Sequence, residues 1–345
     1  MTRTQRTKGN THVSSVDVTQ APYAPASADG TVRYGARTLA RLGHVAAELL
    51  DRAGDRVDDP AWVALARHAW EDVPSEIRRT VREFRRHSGP GGALVLRRLP
   101  IGAAQLPPTP MARGSVQHAP SLPAATLLLF AAGLGDPAAF AAEKSGALVQ
   151  DVVPVPGQEA VQGNVGSVEL TFHTENAFHP HRPDYVMLLC LRLDHEGTAE
   201  LRTSCARRVL PLLTPRSREA LGRPEYVTEA PPSFGPAGEG TAHAVLTGDP
   251  DDPDWCFDEA ATKAVTPEGR AALAELAEVA HRTYTGVLLR PGDLAVVDNR
   301  TTLHGRSAFT PRYDGRDRWL QRTFAFSDLR RSRDHRPGDG TVLVK

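Results

Sequence analysis

Several things are scarce in this chain, and each scarcity excludes a class of protein. Three cysteines in 345 residues, Cys190, Cys205 and Cys256, are too few and too dispersed for a disulfide framework or a zinc-finger spacing. That scarcity predicts a reducing compartment, the cytoplasm. Net charge is absent too: 41 basic residues offset 41 acidic ones, which leaves no electrostatic footprint for nucleic acid or an anionic membrane. The longest apolar run, residues 124–135, falls far short of the roughly 20 residues that span a bilayer. The N-terminus also lacks the apolar core of a secretory signal. Large apolar side chains are nearly missing from residues 1–30, whose Thr, Ser, Pro, Ala and Gly content predicts a disordered tail. A soluble chain with order beginning near Val32 is expected, with no membrane or nucleic-acid partner and no sequence signature of an oligomer.

What is present reads as one domain over residues 31–345, helical over 31–145 and strand-rich over 146–331. Leu39, Leu42, Val45, Ala46, Leu49 and Leu50 recur at helical spacing. A second helix follows Pro60, and a third, with Ser75 as N-cap, aligns Ile77, Val81 and Phe84 on one face. Residues 92–99 predict a first strand and residues 122–133 a buried helix. Short apolar or alternating runs at 148–155, 165–172, 185–192, 201–213, 287–289, 294–298 and 319–326 predict strands of an antiparallel system. A helical insert at 266–282, capped by Thr266, interrupts them. Helices first and many short strands after give an α+β fold class whose second half is a sandwich or jelly roll.

The chemistry concentrates around Phe172-His173-Thr174-Glu175-Asn176. Val168, Leu170 and Phe172 alternate with Ser167, Glu169 and Thr171, so an extended segment would put its apolar side on a core. His173 and Glu175, two apart, would then share the opposite, polar face. An imidazole and a carboxylate so placed are two-thirds of a 2-His-1-carboxylate site for non-haem Fe(II). His304 follows the apolar strand ending at Asp298, where a returning strand could bring it to a pocket's mouth. Arg318, Leu320 and Arg322 share one face of the last strand, and two inward guanidinium groups call for anions to meet them. A planar fork suits a dicarboxylate. A zinc hydrolase built on His173 and Glu175 would have no use for this Arg pair.

The segments FHTENAFHPHRPDYVMLLCLR and DNRTTLHGRSAFTPRYDGRDRWLQRTF closely resemble the clavaminate synthase-like group of Fe(II)/2-oxoglutarate oxygenases, which includes asparagine oxygenases and arginine hydroxylases of peptide-antibiotic pathways. The similarity extends over about residues 146–331. It implies a double-stranded β-helix, the jelly roll, with flanking helices, and Fe(II), 2-oxoglutarate and O2 as requirements. On this resemblance His173, Glu175 and His304 hold the iron, and Arg318 pairs with the distal carboxylate of 2-oxoglutarate. Arg322 holds a substrate carboxylate or assists the cosubstrate. The family's 2-oxoglutarate-binding Thr maps to Thr203, although a count of spacing falls nearer Leu201. The presence of Glu175 favours hydroxylation over halogenation.

The resemblance further implies a small-molecule L-amino-acid substrate, hydroxylated at or near C3, in natural-product biosynthesis. Asn164 and Asp258 take substrate-contacting positions, while Cys256 stands where arginine hydroxylases have a second Asp. One carboxylate keeps arginine, citrulline, ornithine and lysine open. A carrier-bound amino acid, desaturation or cyclisation, and a non-catalytic metal-binding barrel are the alternatives. His179 and His181 flank Pro180 and read as a kinked loop wall in preference to a second metal site.

Overall fold

The computed structural model describes residues 30–235 and 240–344, so the tail expected over residues 1–30 lies outside the described residues except for Gly30. The helical half contains α1 (Ala36–Asp51), α2 (Pro60–Ala69), α3 (Ser75–Arg86) and α4 (Leu122–Leu134). α1 and α3 are amphipathic, burying Leu42, Val45, Ala46 and Leu49 in one and Ile77, Val81 and Phe84 in the other. α4 is apolar all round and lies in the core, its start fixed by the Ser121 hydroxyl accepting from the Ala124 amide. Ser75 is not a cap. It is the first residue of α3, and Pro74 occupies the cap position without a side-chain bond.

The strands β1 (Thr31–Arg33), β2 (Ala93–Arg97), β3 (Asp136–Phe140), β4 (Gln150–Val152), β5 (Leu170–His173), β6 (Tyr185–Arg192) and β7 (Glu200–Cys205) precede Thr285–Leu288, Leu294–Asp298, Thr302–Arg306 and Trp319–Phe326. A large sheet runs β1, β2, Leu294–Asp298, β6, Trp319–Phe326, β3 and Val342–Leu343, with β4 also paired to Trp319–Phe326. A smaller sheet runs Thr285–Leu288, β7, Thr302–Arg306 and β5. This is the α+β jelly-roll core that the sequence predicts. In β6, Tyr185, Met187, Leu189 and Leu191 meet the N-terminal helices, while Val186, Leu188 and Cys190 face the interior between the sheets. Burial on both faces explains why this strand reads as an unbroken apolar run. The Pro267–Thr283 helix backs the small sheet, its Leu276 and Ala280 packing with Phe172 and Leu303.

Several predicted strands are shorter than expected, for identifiable reasons. Of 165–172, only Leu170–His173 is strand, because the Ser167 and Val168 amides turn back to the Glu159 carbonyl. Of 201–213, the strand ends at Cys205 and a short helix (Ala206–Val209) and a 3-10 turn (Leu210–Leu212) follow. Pro211 in that turn has no N–H to give to a ladder. The sheet is mixed, since β1 runs parallel to β2 and Val342–Leu343 runs parallel to β3. The strand Asp136–Phe140 was not expected.

The expected alternation through Val168, Leu170 and Phe172 does not hold. His304 pairs with His173 and Arg306 with Leu170, so β5 carries one extra residue in a bulge. Leu170 and His173 consequently line the interior together, while Phe172 points outward into the helix-backed core.

Candidate active site

His173 and His304 face each other directly across two paired strands. Glu175 is not on the strand; it lies two residues past the end of β5, in the turn that follows. One side chain sets that turn. Asn299, fully buried, accepts from the Glu175 N–H at 2.7 Å and donates to the Glu175 carbonyl at 3.1 Å and the Pro183 carbonyl at 2.8 Å. The result brings one ligand atom from each of His173, Glu175 and His304 within 4.8 Å of one another. His173 Nδ1 lies 2.9 Å from the Thr171 carbonyl, which can only accept. The proton therefore sits on Nδ1, and Nε2 keeps a lone pair for a cation. His304 Nε2 is 3.3 Å from Glu175 Oε2, and its buried Nδ1 has no hydrogen-bond partner among the described residues.

Electrostatics set the protonation states of Glu175 and His304. Burial pushes the Glu175 carboxyl up, but Arg322, His304 and His173 together outweigh it and hold the group well below the usual carboxylate range. Burial and the neighbouring His173 push His304 down to about 4. A carboxylate at Glu175 and a neutral imidazole at His304 are the protonation states that metal binding needs.

Arg322 on the strand Trp319–Phe326 and Arg318 just before it both project inward, as their spacing predicts, but their surroundings differ. Arg322 donates to Glu175 at 2.8 Å, to Gln150 at 2.5 Å and to Glu143. With the Asn164 amide oxygen turned towards it, that oxygen lies 3.1 and 3.0 Å from the two terminal guanidinium nitrogens. Arg318 is buried and makes no ion pair among the described residues; its guanidinium stands 5.7 Å from the Phe309 ring. Beside it Arg306, also buried, donates to the Val168 carbonyl at 2.7 Å. Burial first, then Arg318, push Arg306 down to about 9. Two neighbouring buried cations with no ion pair among the described residues form a socket for an anionic ligand. Thr203 pairs directly with His304, and Leu201 with Arg306, so both face this interior.

Asn164 and Asp258 both reach the cleft that opens from the His-Glu-His cluster. Asp258 is joined to His173 by a backbone bridge, and its Oδ1 caps a turn by accepting from the Ala260 and Ala261 amides. Cys256 points away, its thiol donating to the Ala177 carbonyl. His179 is buried, its ring packed against Phe140, Phe178 and Phe234.

Three residues escaped the sequence reading: Asn299, Arg306 and Glu143. Arg306 was accessible, because period two from His304 puts it on the same face. Glu143 was not. It sits just before Lys144 and Ser145, which take positive φ values of 45° and 55° and aim it at Arg322 from a turn without a motif.

Comparison with known proteins gives the family. Residues 113–324 match the family "Taurine catabolism dioxygenase TauD, TfdA family". The chain is 59% identical over 302 residues to an L-asparagine oxygenase of Streptomyces coelicolor, covering 87% of this chain and 90% of that one. It is 35% identical to an enduracididine beta-hydroxylase of Streptomyces hygroscopicus, covering 86% and 95% of the two chains. A crystal structure of asparagine oxygenase with Fe(II), 2S,3S-3-hydroxyasparagine and succinate superposes with a TM-score of 0.89 at 55% identity, over 92% of this chain and 99% of that one. The non-heme iron oxygenase OrfP with Fe and alpha-ketoglutaric acid gives 0.81 at 29%, over 91% and 99%. The chain belongs to the TauD, TfdA dioxygenase family and is an Fe(II)- and 2-oxoglutarate-dependent dioxygenase of its amino-acid hydroxylase group.

Proposed function

We propose that this protein hydroxylates a free L-amino acid at C3, with L-asparagine as the substrate, and that His173, Glu175 and His304 hold the iron. The single observation that carries the oxygenase reading is the coexistence of this buried His-Glu-His cluster with a buried, unpaired Arg318 on the same interior surface. The first fits a divalent iron, the second a distal carboxylate of 2-oxoglutarate, and Arg306 adds charge beside it. Thr203, paired with His304 on the neighbouring strand, offers a hydroxyl to assist. When bound, iron, 2-oxoglutarate and O2 supply the oxidising power, and the chain's own residues select the carbon that reacts.

Glu143, Asn164 and Arg322 form the inner end of the cleft. Arg322 meets the substrate α-carboxylate; Glu143, whose Oε2 is buried without a hydrogen-bond partner among the described residues, meets the α-ammonium. Asp258 also lines the cleft; with its Oδ1 engaged in a turn, it suits an uncharged amide better than the forked donors of a guanidinium. The 59% identity to an L-asparagine oxygenase supports the amide over the basic side chains that the sequence had left open. The test is an anaerobic titration with Fe(II) and 2-oxoglutarate, watched through the visible charge-transfer band of the chelate. L-Asparagine, L-arginine, L-ornithine, L-lysine and L-citrulline are then added in turn, and products are read by mass after O2 is admitted. L-Asparagine should shift the band and gain one oxygen while succinate accumulates. A shift with a basic amino acid instead would overturn the substrate; absence of any band would overturn the iron assignment.

A further inference from the structure

Outside the active site, a second set of metal-ligating side chains converges from distant parts of the chain. His181 lies on the loop after β5, and Asp334 and His335 lie in the 3-10 segment Leu329–His335. One ligand atom from each falls within 4.8 Å of the others. The two imidazole rings are 4.6 Å apart, centre to centre, at 58°. His335 Nε2 is 3.5 Å from Asp334 Oδ2, and His335 Nδ1 is buried with no hydrogen-bond partner among the described residues. The chain fixes the surroundings of the two imidazoles. The His181 amide donates to His179 Nδ1 at 3.0 Å, and the His335 carbonyl accepts from the Val344 amide at 2.9 Å.

We infer that His181, Asp334 and His335 form a second metal site, for one divalent cation of the zinc class, separate from the iron. Two nitrogens and one carboxylate oxygen, with water in the fourth position, are a donor set that Zn(II) accepts in tetrahedral geometry. Such ligand atoms stand about 3.3 Å apart around a bound zinc, so a contraction of at most about 1.5 Å closes the site. Among the described residues, the remaining cluster of this kind outside the active site, His195 with Asp314 and Asp317, already has its imidazole shared between two carboxylates at 3.2 and 3.7 Å and needs no cation. The consequence at His181 is mechanical. The loop it belongs to also supplies Ala177 and Phe178 to the substrate cleft, so a bound cation would fasten the C-terminal segment to that wall.

The experiment counts metal. Metal-stripped protein is loaded with Zn(II), desalted and assayed by elemental analysis, with Zn(II) also filling the His173, Glu175 and His304 site. Two equivalents are expected for the wild type and one each for His335→Ala, His181→Ala and His304→Ala. The double variant His304→Ala/His335→Ala should retain none. Melting curves give the second readout: Zn(II) should raise the Tm of His304→Ala and leave that of the double variant unmoved. Two equivalents retained by both His335→Ala and His181→Ala would overturn the site, as would one equivalent in the wild type that His304→Ala abolishes. Loss of the iron reading alone would show differently, as a His304→Ala count equal to that of the wild type. If one variant does not fold, the other carries the count, because the two residues lie on separate segments.

Discussion

Asn299 grips the backbone of Glu175 from both sides, its amide oxygen on the N–H and its amide nitrogen on the carbonyl. Among the described residues of the site, no other side chain holds a neighbour at both backbone groups, and Asn299 is fully buried. The carboxylate lies in a turn, where no sheet ladder fixes it, so this clamp replaces strand geometry. Asn299→Ala leaves a buried donor and acceptor unmet, at a cost of about 2–3 kcal/mol in stability. It should also weaken iron binding and lower kcat at least tenfold. Asn299→Asp keeps the acceptor and loses the donor, and should rescue neither. Denaturant unfolding combined with iron titration checks this; unchanged iron affinity in a folded Asn299→Ala protein would falsify it.

Arg318 predicts a trade of stability for binding. A buried guanidinium without a protein carboxylate is a cost to the folded chain that a bound dicarboxylate offsets. Arg318→Met keeps the volume and drops the charge. Without 2-oxoglutarate, the variant should be more stable than the wild type by about 1–3 kcal/mol. Adding 2-oxoglutarate at 100 times its Kd stabilises the wild type by about 2.7 kcal/mol and should leave the variant unmoved. Differential scanning in both conditions distinguishes a binding residue from a merely structural one.

The two halves of the site differ in how legible they are from sequence. His173, His304, Arg318 and Arg322 sit on strands or at their ends, where period two states which side chains share a face. The bulge in β5 left that reading half right: it kept His173 inward but turned Leu170 inward with it, which no residue pattern signals. Glu175 reaches the cluster through a turn whose shape depends on Asn299, 124 residues away in sequence. Glu143 depends on left-handed backbone at Lys144 and Ser145, conformations that non-glycine sequence does not advertise. The fold class follows from the order of helical and alternating patterns. The lengths of strands 165–172 and 201–213 do not, because loop hydrogen bonds and Pro211 compete locally with the ladder.

Lys144 carries a pH signature. Its ammonium donates to the Ser115 and Asp151 carbonyls, yet burial first and then Arg322 push its pKa down to about 8 from 10.5. Between these values the unfolded chain binds more protons than the folded one, so this group's contribution to stability rises with pH across that window and is flat below it. At pH 7 the charged, buried Lys144 costs the wild type up to about 3 kcal/mol relative to a neutral side chain. The stability of Lys144→Met relative to the wild type should therefore fall by about 2–3 kcal/mol between pH 7 and pH 10.5. Urea unfolding of both proteins at the two pH values gives the difference, and taking it between the two proteins cancels the titration of the buried cysteines and tyrosines. An unchanged difference would show that Lys144 keeps its ordinary pKa.

Gly305 lies between His304 and Arg306 and opposite the bulge of β5. A Cβ there would stand 2.5 Å from the Leu170 carbonyl oxygen, which is backbone and cannot rotate away. The strand pair must open to admit it, and the opening falls where His173 faces His304. Gly305→Ala should cost about 1–3 kcal/mol by overpacking and move the two imidazoles apart. A misplacement of the order of 1 Å costs about 100-fold in turnover, so activity should fall further than stability does. The chelate band in the Fe(II) and 2-oxoglutarate complex separates the two effects. A Gly305→Ala protein that melts a few degrees lower but shows wild-type iron affinity and turnover would mean that the bulge tolerates the methyl group and that β5 and its partner are not held in register by this close approach.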